Sequence, residues 1–121
     1  MLSQQQDPGV KASAFYDSRI LVVDDAALNR ELIVSYLESA GFKHLEMAKD
    51  GEDALAKIEN FLPDILILDL MMPGMDGVQV IKALRENSKT KYLPIIVQTA
   101  LSEPEQRLDA WRSGANDVIT K

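Results

Sequence analysis

The chain has no cysteine among its 121 residues and only one histidine, His44. The first absence excludes disulfides, thiolate nucleophiles and zinc–thiolate centres, and it suits a reducing compartment, so a cytoplasmic location is the default expectation. The second excludes histidine-rich metal sites and histidine triads, and it leaves His44 as a surface residue at the start of a strand. Long apolar runs are missing as well. The stretches Ile20–Val23 and Ile65–Leu68 fall far short of the roughly 18 to 20 residues of a membrane helix. No run of lysine or arginine interrupts the net charge of −6, which argues against direct capture of nucleic acid or an anionic membrane. The opening MLSQQQDPGVKASAFYDSR lacks the basic start and apolar stretch of a secretion signal. Residues 1–18 read as a polar leader, mobile up to about Asp17. What remains, 19–121, is one domain, because 46% hydrophobic content supports a single core at this length.

Beyond the leader, two periodicities alternate. Apolar runs of strand length are Ile20–Val23, His44–Ala48, Ile65–Leu68, Ile95–Thr99 and Val118–Thr120. Between them, helical spacing puts Leu28, Leu32, Tyr36 and Leu37 on one face, then Ala54, Leu55 and Ile58, then Val78, Ile81 and Leu84, then Leu108 and Trp111. The last pair reads as core. Asp50 and Asp76 stand at N-cap positions, and Ser102 with Glu105 has the pattern of a capping box. Gly41 and Gly114 fall where helices should stop. Strands that are apolar on both faces and separated by helices imply a parallel sheet covered on both sides. The expected fold is a doubly wound α/β domain on a five-stranded parallel sheet.

Such sheets bind ligands beyond the carboxyl ends of their strands. Those ends carry Asp24 and Asp25, Asp69, Thr99 with Ala100, and Lys121. Three carboxylates on one rim repel one another unless a cation compensates them, and a hard divalent ion such as Mg²⁺ is the natural partner. Asp24, Asp25 and Asp69 are the expected ligands, with the backbone carbonyl of Met71 as a further one. Lys121 offers a point charge for an anion and Thr99 a hydrogen-bond donor. Together these groups describe phosphoryl transfer onto an aspartate. Plainer roles compete. Asp24 and Asp25 could cap the first helix, Thr99 could be an ordinary strand residue, and Lys121 a solvated charge. Pro73, Gly74 and Gly77 read as turn chemistry that shapes the loop beside the site. Asp69 has no such structural role, since Asp76 is better placed to cap the next helix.

The motifs LVVDD, LDLMMPGMDG, QTA and GANDVITK follow in that order at successive strand ends. In these, the chain from about Arg19 to Lys121 resembles the receiver domain of two-component response regulators, the CheY-like superfamily. The resemblance implies a flavodoxin-like strand order 2-1-3-4-5. It also implies that Asp69 accepts a phosphoryl group from a phosphohistidine on a sensor histidine kinase or a histidine phosphotransfer protein. Asp24 and Asp25 would hold Mg²⁺, Thr99 would shift to bond the phosphoryl oxygens, and Lys121 would pair with them. Transfer and slow hydrolysis would be self-catalysed, without turnover of a small-molecule substrate. Output would follow from the face around the fourth helix and fifth strand.

Two departures stand out. Val118 occupies the place where the family usually carries an aromatic residue, so a switch would be read through the backbone after Ala100 and the fourth helix. The chain also stops at Lys121, where family members continue into a fifth helix. The expectation is a receiver truncated before that helix, its output domain missing, with exposed apolar surface that favours a homodimer. An alternative is a receiver-like interaction or dimerisation module that never uses phosphate; the retained site residues speak against it, and Val118 speaks mildly for it. An aspartyl-phosphate phosphatase would need an acid at Met71. A flavin site would need a hydroxyl- and glycine-rich loop where Asp24 and Asp25 stand.

Overall fold

The computed structural model describes residues 15–100 and 104–120. Each short apolar run becomes a strand: β1 Arg19–Val23, β2 His44–Ala48, β3 Ile65–Leu68, β4 Ile95–Thr99 and β5 Asp117–Thr120. The helices between them are α1 Ala27–Ala40, α2 Gly51–Phe61, α3 Gly77–Glu86 and α4 Pro104–Ser113. All pairings are parallel, in the order β2-β1-β3-β4-β5. This is the expected doubly wound sheet, and its order reverses between β1 and β3.

Local signals explain where the helices begin and end. The Asp50 carboxylate accepts the Asp53 N–H at 2.8 Å. Asp76 and Gln79 form a reciprocal capping box, an arrangement that satisfies two otherwise orphaned donors. Gly41 and Gly114 take left-handed conformations just past α1 and α4, where a side chain would be strained. Ser102, the other expected cap, lies outside the described residues.

Chirality then distributes the helices. Right-handed crossovers carry the chain from β1 outward to β2 on one side of the sheet. The three later crossovers run the opposite way across the strand order, so their helices share the other side. The core follows this division. Leu21, Val23, Leu66, Leu68, Ile95 and Val97 are buried under Ala54, Ile58, Val80, Ile81, Leu84 and Ala110 from α2, α3 and α4. Of the described helices, α1 lies on the second face, against β1 and β2. There Ile20 and Val22 are buried, whereas Ile65, Ile67 and Ile96 are half-buried.

The shared face of α1 forms as expected, and one expectation needs correction. Leu28, Leu32 and Tyr36 do form one stripe of α1, but they are 69%, 58% and 76% exposed, and α1 contains no buried residue. Leu108 and Trp111 are likewise not core, at 43% and 46% exposure; Ala110 is the buried residue of α4. Spacing specifies which residues share a face, while burial needs a neighbour to cover it. The end of the segment read as leader is in contact with the domain. The Phe15 and Tyr16 rings meet Phe42 edge-on at 5.2 and 5.0 Å, and the Tyr16 carbonyl accepts the Lys43 N–H.

Candidate functional site

Where β1 ends, the backbone is still tied to its neighbour, because the Asp24 N–H donates to the Ala48 carbonyl at 3.2 Å. Two further contacts and burial define this corner. The Asp24 Oδ1 accepts the Ala26 N–H at 2.9 Å, the Asp24 carbonyl accepts Arg30 Nη1 at 2.7 Å, and the side chain is buried. Asp25 follows with its carboxylate exposed. On the adjacent strand, the Asp69 N–H donates to the Val23 carbonyl at 2.9 Å, which continues the β1–β3 ladder one residue beyond β3. The Asp69 side chain is buried and its Oδ1 accepts the Met71 N–H at 3.3 Å.

This register brings together the acids that the strand ends supplied. Single carboxylate oxygens of Asp24, Asp25 and Asp69 lie within 4.8 Å of one another. Acids so close repel strongly in a partly buried rim, and a cation is the ready compensation. The donors are all hard oxygens, as Mg²⁺ prefers, so the residues present fit that ion. Met71 directly follows this corner with an exposed side chain, on the loop from which its carbonyl was expected to act. Thr99 ends β4 and is fully buried. Leu68 pairs with Val97, so Thr99 ends the strand beside the one that leads to Asp69. Lys121 lies outside the described residues.

Two contributors escaped the sequence reading. Gly77 was read as turn chemistry, but it is the first residue of α3, and a Cβ there would stand 2.6 Å from the Asp69 carbonyl oxygen and 2.7 Å from Leu70 Cα. Only glycine lets the helix approach the backbone of Asp69 so closely. Arg30 was not singled out either; its signal is position, one turn into the helix that follows the acid pair. Next to the acids opens a groove of about 680 Å³ whose lining includes Asp25, Met71, Pro73, Val78 and Gln106, so the rim is accessible from solvent.

The model of the response regulator receiver domain matches residues 20–121. The chain belongs to the response regulator receiver domain family. Response regulator PleD of Caulobacter vibrioides is 42% identical over 104 residues, 86% of this chain and 23% of the relative. The phosphate regulon transcriptional regulatory protein PhoB of Escherichia coli is 42% identical over 103 residues, 85% of this chain and 44% of the relative. This receiver therefore spans less than half the length of these curated relatives. Among solved structures, chemotaxis protein CheY4 of Vibrio cholerae superimposes with a TM-score of 0.81 at 34% identity, covering 87% of both chains. The receiver domain of the Francisella response regulator 1452 gives 0.78 at 31%, covering 87% of this chain and 84% of that one. The fold is accordingly the flavodoxin-like, CheY-like one. Among the described residues, no helix is long and apolar enough to cross a membrane.

Proposed function

We propose that Asp69 is the phosphoacceptor of a two-component response regulator, working in the cytoplasm and fed by a phosphohistidine on a sensor kinase or phosphotransfer protein. The observation that carries this reading is the convergence of Asp24, Asp25 and Asp69 carboxylate oxygens within 4.8 Å at the strand-order reversal. One Asp69 carboxylate oxygen attacks phosphorus. The phosphorus–nitrogen bond of the phosphohistidine breaks, its electron pair stays with the imidazole, and that nitrogen takes up a proton. Asp24, Asp25, Asp69 and the Met71 carbonyl would hold Mg²⁺, which when bound offsets negative charge on the carboxylates and phosphoryl oxygens. The Arg30 guanidinium holds the backbone carbonyl of buried Asp24 and the Ala26 amide donates to its Oδ1, so its carboxylate is oriented before any ligand arrives. The Thr99 hydroxyl donates to a phosphoryl oxygen, and the Lys121 ammonium pairs with another. Hydrolysis reverses the modification when water attacks phosphorus and the Asp69 carboxylate leaves.

An aspartyl-phosphate phosphatase would need a general acid two residues after Asp69, and Met71 stands there, which favours chemistry limited to self-catalysed transfer and hydrolysis. Output passes to a domain or partner through α4 and β5. The second reading is a phosphate-independent dimerisation module, favoured by the exposed Leu28, Leu32 and Tyr36 stripe. Intact-protein mass after incubation with a small phosphodonor and Mg²⁺ separates the two. An adduct of one phosphoryl group, absent without Mg²⁺ and absent in Asp69→Asn, supports the receiver chemistry. An unmodified native chain would favour the module.

A further inference from the structure

Helix α4 is shallowly buried. Ala110 is its one buried residue, whereas α3 beside it buries Gly77, Val80, Ile81 and Leu84. Leu108 and Trp111 remain 43% and 46% exposed. Its C-terminal end is fastened by a side chain from another helix. Arg85, in the last turn of α3, donates to the Gly114 carbonyl from both Nε and Nη2, at 3.1 and 2.8 Å. Nη2 also donates to Asn116 Oδ1 at 2.9 Å, and Nη1 to the Thr90 carbonyl at 3.2 Å. Asn116 is tied in turn to the start of β4. Its Oδ1 accepts the Ile95 N–H and its own N–H donates to the Ile95 carbonyl, both at 2.8 Å.

Glycine at 114 makes this fastening possible in two ways. Its φ of +117° allows the helix-ending turn, and any Cβ there would sit 2.9 Å from Arg85 Cγ and Nε. The guanidinium is half-buried, and desolvation draws its pKa below the usual value. It stays charged at neutral pH, so its donors are charge-assisted and stronger than neutral ones. A lysine could not reproduce the fork, because its ammonium is a single point charge.

We infer that Arg85 is a positioning residue that pins the C-terminal end of α4, so that a pull on the chain at Thr99 turns α4 about Gly114 rather than shifting it bodily. The inference rests on the phosphoacceptor reading for the origin of the pull. It supplies what Val118 lacks, a route from the rim to the exposed Leu108 and Trp111 that needs no aromatic side chain on β5. The lever arm is the weakly buried helix and the fulcrum is the Arg85–Gly114–Asn116 clasp.

The test compares the native chain with Arg85→Met and Arg85→Lys, each with and without a small phosphodonor and Mg²⁺. Three readouts are intact mass, Trp111 fluorescence and amide exchange across 105–116. Trp111 is the sole tryptophan, so its emission reports α4 alone. In the native chain, phosphorylation is expected to change exchange at 105–109 severalfold while 114–116 stay protected. Arg85→Met should take up phosphoryl within about twofold of native, expose 114–116 at least tenfold more in both states, and lose at least half of the Trp111 response. Arg85→Lys should fall between. Equal responses at both ends of α4 in the native chain would overturn the pivot, even if Arg85→Met did not fold. So would an unaltered Trp111 response in a folded Arg85→Met. If the native chain takes up no phosphoryl group, the phosphoacceptor reading falls, and exchange in the untreated variants still decides the clasp: unchanged protection at 114–116 would overturn it.

Discussion

The face of the sheet beneath α2, α3 and α4 buries Leu21, Leu66, Leu68, Ile95 and Val97 from solvent, whereas among the described residues the opposite face carries α1 alone and leaves Ile65, Ile67 and Ile96 half-buried. Both faces are built from the same residue types, so composition does not explain the contrast. Topology does: the chain makes one crossover on the second face and three on the first. The acids stand at the junction of the two. Asp24 and Asp69 extend neighbouring central strands whose positions the covered face fixes, and the second face contributes to the site through Arg30.

The largest expected effect tests the contrast directly. Leu68→Ala on the covered face should cost about 3 kcal/mol of unfolding free energy, and Ile67→Ala on the other face about 1 kcal/mol, both read from urea melts. Equal losses would mean that the second face is sealed in solution, with a second copy of the chain as the first candidate. The next effect concerns the rim. Mg²⁺ at ten times its dissociation constant should stabilise the native chain by about 1.4 kcal/mol, seen as a raised melting midpoint. Asp24→Asn should abolish that rise, while Leu32→Lys should retain it, because Leu32 stands on the stripe and not at the rim. A rise that survived Asp24→Asn would place the cation elsewhere.

Most of this architecture was legible because the signals are local. Strand runs, the Asp50 and Asp76 caps and the glycine stops each depend on a few adjacent residues, and acids at strand ends follow from the logic of parallel sheets. What stayed hidden depends on distant partners. The stripe Leu28, Leu32, Tyr36 announces a helix, but its exposure follows from what does not cover it. Leu108 and Trp111 repeat the lesson. Arg85 reaches a carbonyl 29 residues away, and Gly77 matters because of the backbone of Asp69, eight positions upstream but across a loop. Neither fact leaves a mark on periodicity.

A smaller effect tests the stripe itself. Leu28→Lys with Leu32→Lys should change stability by less than about 0.5 kcal/mol each, as for exposed positions without special contacts. Light scattering should show a lower average mass than for the native chain if that face mediates self-association. A loss of several kcal/mol would instead show that the stripe is packed in solution and would remove the contrast between the faces.

The smallest effect is electrostatic and belongs to the covered side. Asp53, on α2, accepts the Lys49 N–H at 3.0 Å and lies 3.4 Å from the Lys57 ammonium. The Lys49 amide is the main cause that holds its carboxyl below the usual range, opposed by desolvation and helped by Lys57. A lowered folded-state pKa means that the unfolded chain binds the proton more readily, so the contribution is complete above the ordinary aspartate value of about 3.9 and is lost as pH falls through the lowered one. The stability difference between the native chain and Asp53→Asn should therefore be flat from about pH 5 to 8 and shrink on further acidification. Asp53 stands apart from the rim acids and is paired with Lys57, so it needs no added cation. Its contribution should thus be the same with and without Mg²⁺, and a Mg²⁺-dependent difference would mean that α2 is coupled to the rim more tightly than its contacts indicate.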